Sequence, residues 1–207
     1  MKKNIAIVGG SSDIAIATVN HISKEEYNFF ALIREQDKSS ELSDLGVDVT
    51  IGDATSEEDI KNFVTSVKDS GEIHGVLHCV GSFAVRPPHA MNKEAFESVI
   101  STNLTSAFLT LSIAGKAMLS QGHGRMVFMS SVAGSLGLVN HEAISAAKGG
   151  VESMVRSAAA TYANRGLRIN AVAPGLTDTK LASPIMSNET ASQAASQKIP
   201  IKRVNEK

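Results

Sequence analysis

Ile5-Ala6-Ile7-Val8-Gly9-Gly10-Ser11-Ser12-Asp13-Ile14-Ala15 is the stretch on which the fold turns. Four consecutive apolar residues without polar alternation read as a short strand buried on both faces. Two glycines stop it. Over residues 13–22 apolar side chains return at helical spacing (Ile14, Ile16, Ala17, Val19), as expected of a helix packed on that strand. The start of such a helix presents N–H groups and the positive end of its dipole just beyond the strand, which suits a phosphate. Gly9 can make the tight turn, and Ser11 and Ser12 can donate hydrogen bonds. Asp13 is the awkward member, because its carboxylate competes with a phosphate for the same N–H groups. Ala15 adds a methyl where glycine would allow the closest helix–strand packing. The alternative is a glycine-rich turn capped by Asp13 with no ligand, since the full Gly-x-Gly-x-x-Gly fingerprint is absent.

The same pattern recurs outward along the chain. Apolar runs at 29–33, 47–51, 75–80, 125–129 and 167–172 read as five more strands. They end at Arg34, at Gly52-Asp53, at Gly81, at Ser130-Ser131 and before Pro174-Gly175. Helical segments lie between most of them. One is capped by Ser56 with acids in its first turn; 95–119 is a long apolar central helix and 141–163 a second long one. The tail after about residue 176 reads as irregular or partly helical. Alternating strands and helices predict an α/β protein with a doubly wound parallel sheet of six strands and helices on both faces, over a single domain 1–207. Ligands in such sheets bind beyond the carboxyl ends of the strands. Arg34 stands where an adenine ribose would lie. Its guanidinium would pair with a 2′-phosphate and favour NADP over NAD, or it is a solvated surface arginine. Asp53 would accept from an adenine amino group, or is a turn residue.

Composition excludes other classes. The 207 residues carry 20 Lys+Arg against 21 Asp+Glu, a charge of −1 with no basic run, which argues against a nucleic-acid partner. Cys79 is the only cysteine, and the histidines have no metal-ligand spacing, so no metal is expected. No apolar run reaches the ~18 residues that cross a bilayer. The basic start at Lys2-Lys3 is followed by too short an apolar stretch for export, so a cytoplasmic protein without membrane contact is expected.

The chain resembles the short-chain dehydrogenase/reductase family over nearly its whole length. The matching pieces occur in order: the loop 9–15, Asp53 with Thr55, and His78-Cys79-Val80-Gly81, where the family usually has Asn-Asn-Ala-Gly. Asn103, Ser131 in Met129-Ser130-Ser131-Val132-Ala133-Gly134, Lys148, Asn170-Ala171-Val172-Ala173-Pro174-Gly175 and Thr179 follow. The resemblance implies a Rossmann-like fold binding NADP or NAD, and an oxidoreductase of a small carbonyl or alcohol. It also implies a homo-oligomer, dimer or tetramer, joined through the long helices. The cofactor would be held by Gly9, Ser11, Ser12, Asp13, Ile14, Arg34, Asp53, Ala54, Val80, Gly81, Lys148, Pro174, Gly175 and Thr179. Ser131 would hydrogen-bond the substrate oxygen, Lys148 the cofactor ribose, and Asn103 a water relay.

The family's proton-transferring tyrosine is missing. Four residues before Lys148 stands Ile144, and neither Tyr27 nor Tyr162 matches the motif. Three readings follow. His141, three residues before Ile144 and so on a neighbouring turn of the same helix face, could be a surrogate acid, or it faces solvent. The chain could bind a nucleotide as a sensor or scaffold without redox chemistry. Or water could protonate the product. The family also usually continues past the segment Pro200-Ile201-Lys202-Arg203, which would leave the sixth strand at a sheet edge. Cys79 reads as packed core, and His78 borders the cofactor cleft by analogy.

Overall fold

The computed structural model describes residues 2–206. Six strands, Lys3–Val8 (β1), Tyr27–Ile33 (β2), Val47–Ile51 (β3), Ile73–His78 (β4), Gly124–Met129 (β5) and Leu167–Val172 (β6), pair in parallel in the order β3-β2-β1-β4-β5-β6. The chain winds outward from β1 to β3, returns to the centre at β4 and winds outward again. The doubly wound α/β sheet expected from the sequence is therefore the observed one.

Strand alternation divides the core. Ala6, Val8, Leu32, Val76 and Phe128 point to one face and pack on helices Glu57–Asp69 (α3), Ser106–Gln121 (α5) and Glu142–Tyr162 (α6). Ile7, Ala31, Ile33 and Leu77 point to the other and pack on Asp13–His21 (α1) and Ser39–Asp44 (α2). Both faces of the central strands are covered, which is why they read as unbroken apolar runs. The Ser56 cap of α3 forms as expected, its Oγ accepting from the Asp59 N–H at 3.2 Å.

Three local readings are corrected. The fourth strand runs Ile73–His78, so Cys79, Val80 and Gly81 lie in the loop beyond it; the last rung is Cys79 N–H to Val8 O at 2.8 Å, after which β1 turns away. The long central helix is not uniform. Lys93–Ile100 (α4) and α5 are joined by a π-helical turn, Ser101–Thr105. The combined run Lys93–Gln121 is long and apolar enough to cross a membrane by length and composition, although no unbroken apolar run in it reaches that length. It lies on the sheet, burying Ala107, Leu111, Ala114 and Met118. The last correction concerns His78, which lies behind the cleft rather than at its border. Alternation along β4 turns it toward α5, where it is 1% exposed and its Nε2 is 3.0 Å from Ser106 Oγ. Ser106 Oγ itself donates to Thr102 O at 2.6 Å, so Nε2 carries the proton. His78 Nδ1 has no hydrogen-bond partner among the described residues.

After β6 the chain carries helices Ser183–Met186 (α7) and Glu189–Lys198 (α8). Its end folds back, Asn205 N–H reaching Leu176 O at 3.0 Å and Asp178 N–H reaching Asn205 O at 2.9 Å.

Burial, helped by the Lys148 charge, lowers the His78 pKa from 6.5 to about 3. Between those values the unfolded chain binds a proton that the folded chain does not, so this histidine removes stability as pH falls from 6.5 toward 3. The slope is on the order of 1 kcal/mol per pH unit. Urea melts across that window will show a shallower acid loss for His78→Asn than for the wild type. Equal slopes would contradict a neutral buried imidazole.

Candidate active site

The site lies where the winding reverses, between the carboxyl ends of β1 and β4. Gly9 there has φ +82°, and both its N–H and that of Gly10 donate to Leu32 O, at 3.0 and 3.1 Å. A Cβ on Gly9 would stand 2.9 Å from Val80 Cγ2 and Val80 N; one on Gly10 would stand 2.5 Å from Ala31 Cβ. The turn is thus flattened against its neighbours, which leaves the start of α1 open beyond it. Ser12, not Asp13, caps that helix, its Oγ accepting from the Ala15 N–H at 3.1 Å. Its Oγ accepts there, which leaves the Ser12 hydroxyl proton to donate, as the sequence reading expects. Ser11 and Ile14 are half-buried beside it, and Ala15 is fully buried, its methyl absorbed by the packing. Asp13 Oδ2 accepts from the Lys180 N–H at 2.5 Å. The carboxylate thereby reaches the segment after β6.

At the outer end, Asp53 Oδ1 accepts from both the N–H and the Oγ1–H of Thr55, each at 2.8 Å. Those bonds, with Arg34 adding its charge, hold the Asp53 carboxyl below its usual range. Arg34 is exposed and its Nη2 lies 3.4 Å from Glu35 Oε1. Ala54 packs against the sheet's inner cluster. Arg34 and Asp53 are thus brought together at this end of the sheet.

The inner end gathers the polar residues expected to act on a substrate. Asn103 sits fully buried in the π turn. The turn exists because Ser106 N–H reaches back to Ser101 O, while the Asn103 amide nitrogen donates to Val99 O at 2.9 Å and to Ser82 Oγ at 2.8 Å. Its Oδ1 accepts from the Ser82 N–H at 3.2 Å. Lys148, 6% exposed on α6, donates from Nζ to Met129 O at 2.8 Å. Desolvation lowers its pKa to about 8. A Cβ on Gly81 would stand 3.4 Å from Asn103 Oδ1, 3.7 Å from Lys148 Nζ and 4.0 Å from Leu181 Cδ2. Three groups from three distant segments therefore meet around Gly81, where an added Cβ would make only ordinary van der Waals contact.

Ser131 follows β5 and caps the turn Val132–Gly134, its Oγ accepting from the Ala133 N–H at 3.2 Å. Pro174 O accepts from the Val132 N–H at 3.0 Å and so ties the end of β6 to this turn. Gly175 and Thr179 continue that segment, Thr179 Oγ1 donating to Thr177 O at 3.3 Å. Ile144 is 8% exposed and packs with Val99, Ala133, Ala143 and Ala147. His141 precedes α6 at its N-cap with non-helical backbone angles, and its Nδ1 is 2.7 Å from Val139 O. It is not on a helical turn with Ile144, as the sequence reading required. Cys79 packs against the second apolar cluster, and burial pushes its thiol up to about 12. Ser82, Lys180 and Leu181 were not legible as site residues. Each enters through a contact with a residue far away in sequence.

A helix start beyond the end of one strand and a buried lysine beside Gly81 beyond the others are features that suit a dinucleotide. Comparisons with known proteins agree. A family model described as enoyl-(acyl carrier protein) reductase matches residues 9–207. The 3-oxoacyl-[acyl-carrier-protein] reductase MabA of Mycobacterium tuberculosis is 30% identical over 204 residues, which are 99% of this chain and 80% of that protein. Levodione reductase superposes with a TM-score of 0.93 at 27% identity, covering 99% of this chain and 85% of that one. ElxO, solved with NADP bound, gives 0.90 at 25% identity, covering 100% of this chain and 87% of that one. A tyrosine-to-phenylalanine variant of ElxO was solved with NADPH bound and matches equally well.

Gly9→Ala tests the turn. It combines a left-handed backbone with a clash against Val80, a strain of about 1–3 kcal/mol. Calorimetry should show NADPH affinity at least tenfold weaker in a variant that still melts cooperatively. Unchanged affinity would separate the turn from ligand binding.

Proposed function

The chain belongs to the short-chain dehydrogenase/reductase family of NAD(P)-dependent oxidoreductases of small carbonyl and alcohol substrates, and within it we propose a reductase that works without the family's tyrosine. The observation that carries this reading is the gap beside Gly81, bordered by both Lys148 Nζ and Asn103 Oδ1.

When bound, NADPH or NADH supplies the hydride to the carbonyl carbon. Gly9, Ser11, Ile14 and the start of α1 would hold its phosphates, Val80, Gly81 and Lys148 its inner ribose, and Pro174, Gly175 and Thr179 would form the far wall. Arg34 supports NADP over NAD, because its exposed guanidinium can meet a 2′-phosphate. Ser131 positions the substrate. Its Oγ already accepts from the Ala133 N–H, so its own proton is the one to donate to a carbonyl oxygen.

Ile144 offers no proton. Lys148 Nζ has three protons and Met129 O takes one; Asn103 lies across the gap and reaches Ser82. Protons therefore enter the site from solvent along Asn103 and Lys148 and reach the substrate oxygen through water. His141 is not needed in this scheme. Losing a positioned acid costs about 10²–10⁴-fold, so turnover is slow. In ElxO, a form lacking one tyrosine hydroxyl still holds NADPH, which supports binding without that group. Exposed Phe96, Phe108, Leu136 and Val139 support assembly as a homo-oligomer.

The apolar packing of Ile144 favours one second reading, a nucleotide-binding sensor or scaffold with no turnover. NADPH oxidation with a panel of small ketones, aldehydes and β-keto esters separates the two. The reductase reading expects measurable turnover that falls as pH rises through about 8, where Lys148 loses its charge, and Lys148→Met should remove it. Ile144→Tyr should raise turnover at least tenfold, and His141→Ala should leave it within about threefold. Calorimetric binding with no turnover in either the wild type or Ile144→Tyr would favour the scaffold.

A further inference from the structure

Glu152 lies on α6 one turn beyond Lys148, and its side chain is 16% exposed. Its carboxylate takes hydroxyl donors from both sides of Ser131. Ser130 Oγ is 2.9 Å from Glu152 Oε1, and Ser135 Oγ is 3.1 and 2.9 Å from Oε1 and Oε2. Ser130 Oγ also lies 3.1 Å from Lys148 O, but the carboxylate is the closer and stronger acceptor for its single proton. Arg156 Nη1 stands 3.8 Å from Oε2 on the solvent side.

The backbone is shaped for this contact. A Cβ on Gly134 would stand 2.9 Å from Glu152 Oε1 and from Gly149 N, and one on Gly149 would stand 3.2 Å from Gly134 O. Two glycines thus let the Val132–Gly134 turn lie directly on α6. On its other side the same loop is tied to the end of β6 through Ser130 N–H to Val172 O and Val132 N–H to Pro174 O. Glu152 is its charged attachment to the helix that carries Lys148, beside the contact of Ser130 Oγ with Lys148 O.

From this arrangement we infer that Glu152 is a positioning residue, a clamp that fixes Ser131 relative to Lys148. It touches neither substrate nor cofactor and acts through Ser130 and Ser135. The role in turnover rests on the reductase reading above; the clamp itself does not.

Hydrogen exchange and steady-state kinetics on Glu152→Ala and Glu152→Gln test it. In Glu152→Ala, amides of residues 131–135 should exchange at least tenfold faster while those of β1, β4 and β5 keep their protection. kcat should fall at least tenfold with the NADPH Kd unchanged. Glu152→Gln, which keeps one acceptor oxygen, should recover part of both. Unchanged exchange at 131–135, or acceleration spread through the sheet, would overturn the clamp. Local acceleration with unaltered kcat would overturn its role in positioning Ser131. If the wild type oxidises no NADPH with any carbonyl in the panel, the reductase reading fails, and local exchange alone then decides whether the clamp exists.

Discussion

The structure depends on the reversal of winding between β1 and β4. Their pairing runs as far as Val8 opposite His78, and there the two chains part in opposite directions. Gly9 can leave only because it takes a left-handed turn hard against Val80. That single parting opens the cleft. It aims the start of α1 into it from one side and sets Gly81 on the other. Every further group of the site is placed relative to this crevice, as expected where strand order reverses in an open α/β sheet.

Charge is distributed along the cleft with matching economy. The one carboxylate at the helix start, Asp13, accepts from the backbone of Lys180. Lys148, the one buried ammonium among the described residues, is held by Met129 O near Gly81. The π turn carries Asn103 to the same gap; the Ser106 N–H reaches Ser101 O, and the Ser106 hydroxyl takes the Thr102 carbonyl that this bond bypasses. Ile144 completes the inner end as a packed apolar residue.

Much of the fold was legible because buried parallel strands write themselves as continuous apolar runs. Residues 5–8, 29–33, 47–51, 125–129 and 167–172 all fall within observed strands. The fourth strand was misplaced by two residues, since the apolar Val80 continues a run whose pairing has already ended. The π turn was not legible, because a shift from i−4 to i−5 bonding leaves apolar spacing over 95–119 nearly unchanged. Ser12 and Asp13 are both good capping residues, and the sequence alone did not choose between them. His141 was read as helical from spacing, but the helix begins one residue later. Asp13 with Lys180 and Glu152 with Ser130 are contacts between segments far apart along the chain, which no local pattern encodes.

A crystal structure grown with NADPH tests the central claim most directly. The account predicts a pyrophosphate within hydrogen-bond distance of the N–H groups at the start of α1, with Asp13 still accepting from Lys180 and no protein acid beside the nicotinamide. Crystals in which saturating NADPH leaves that helix start bare, or in which Asp13 swings back to occupy it, would contradict the account.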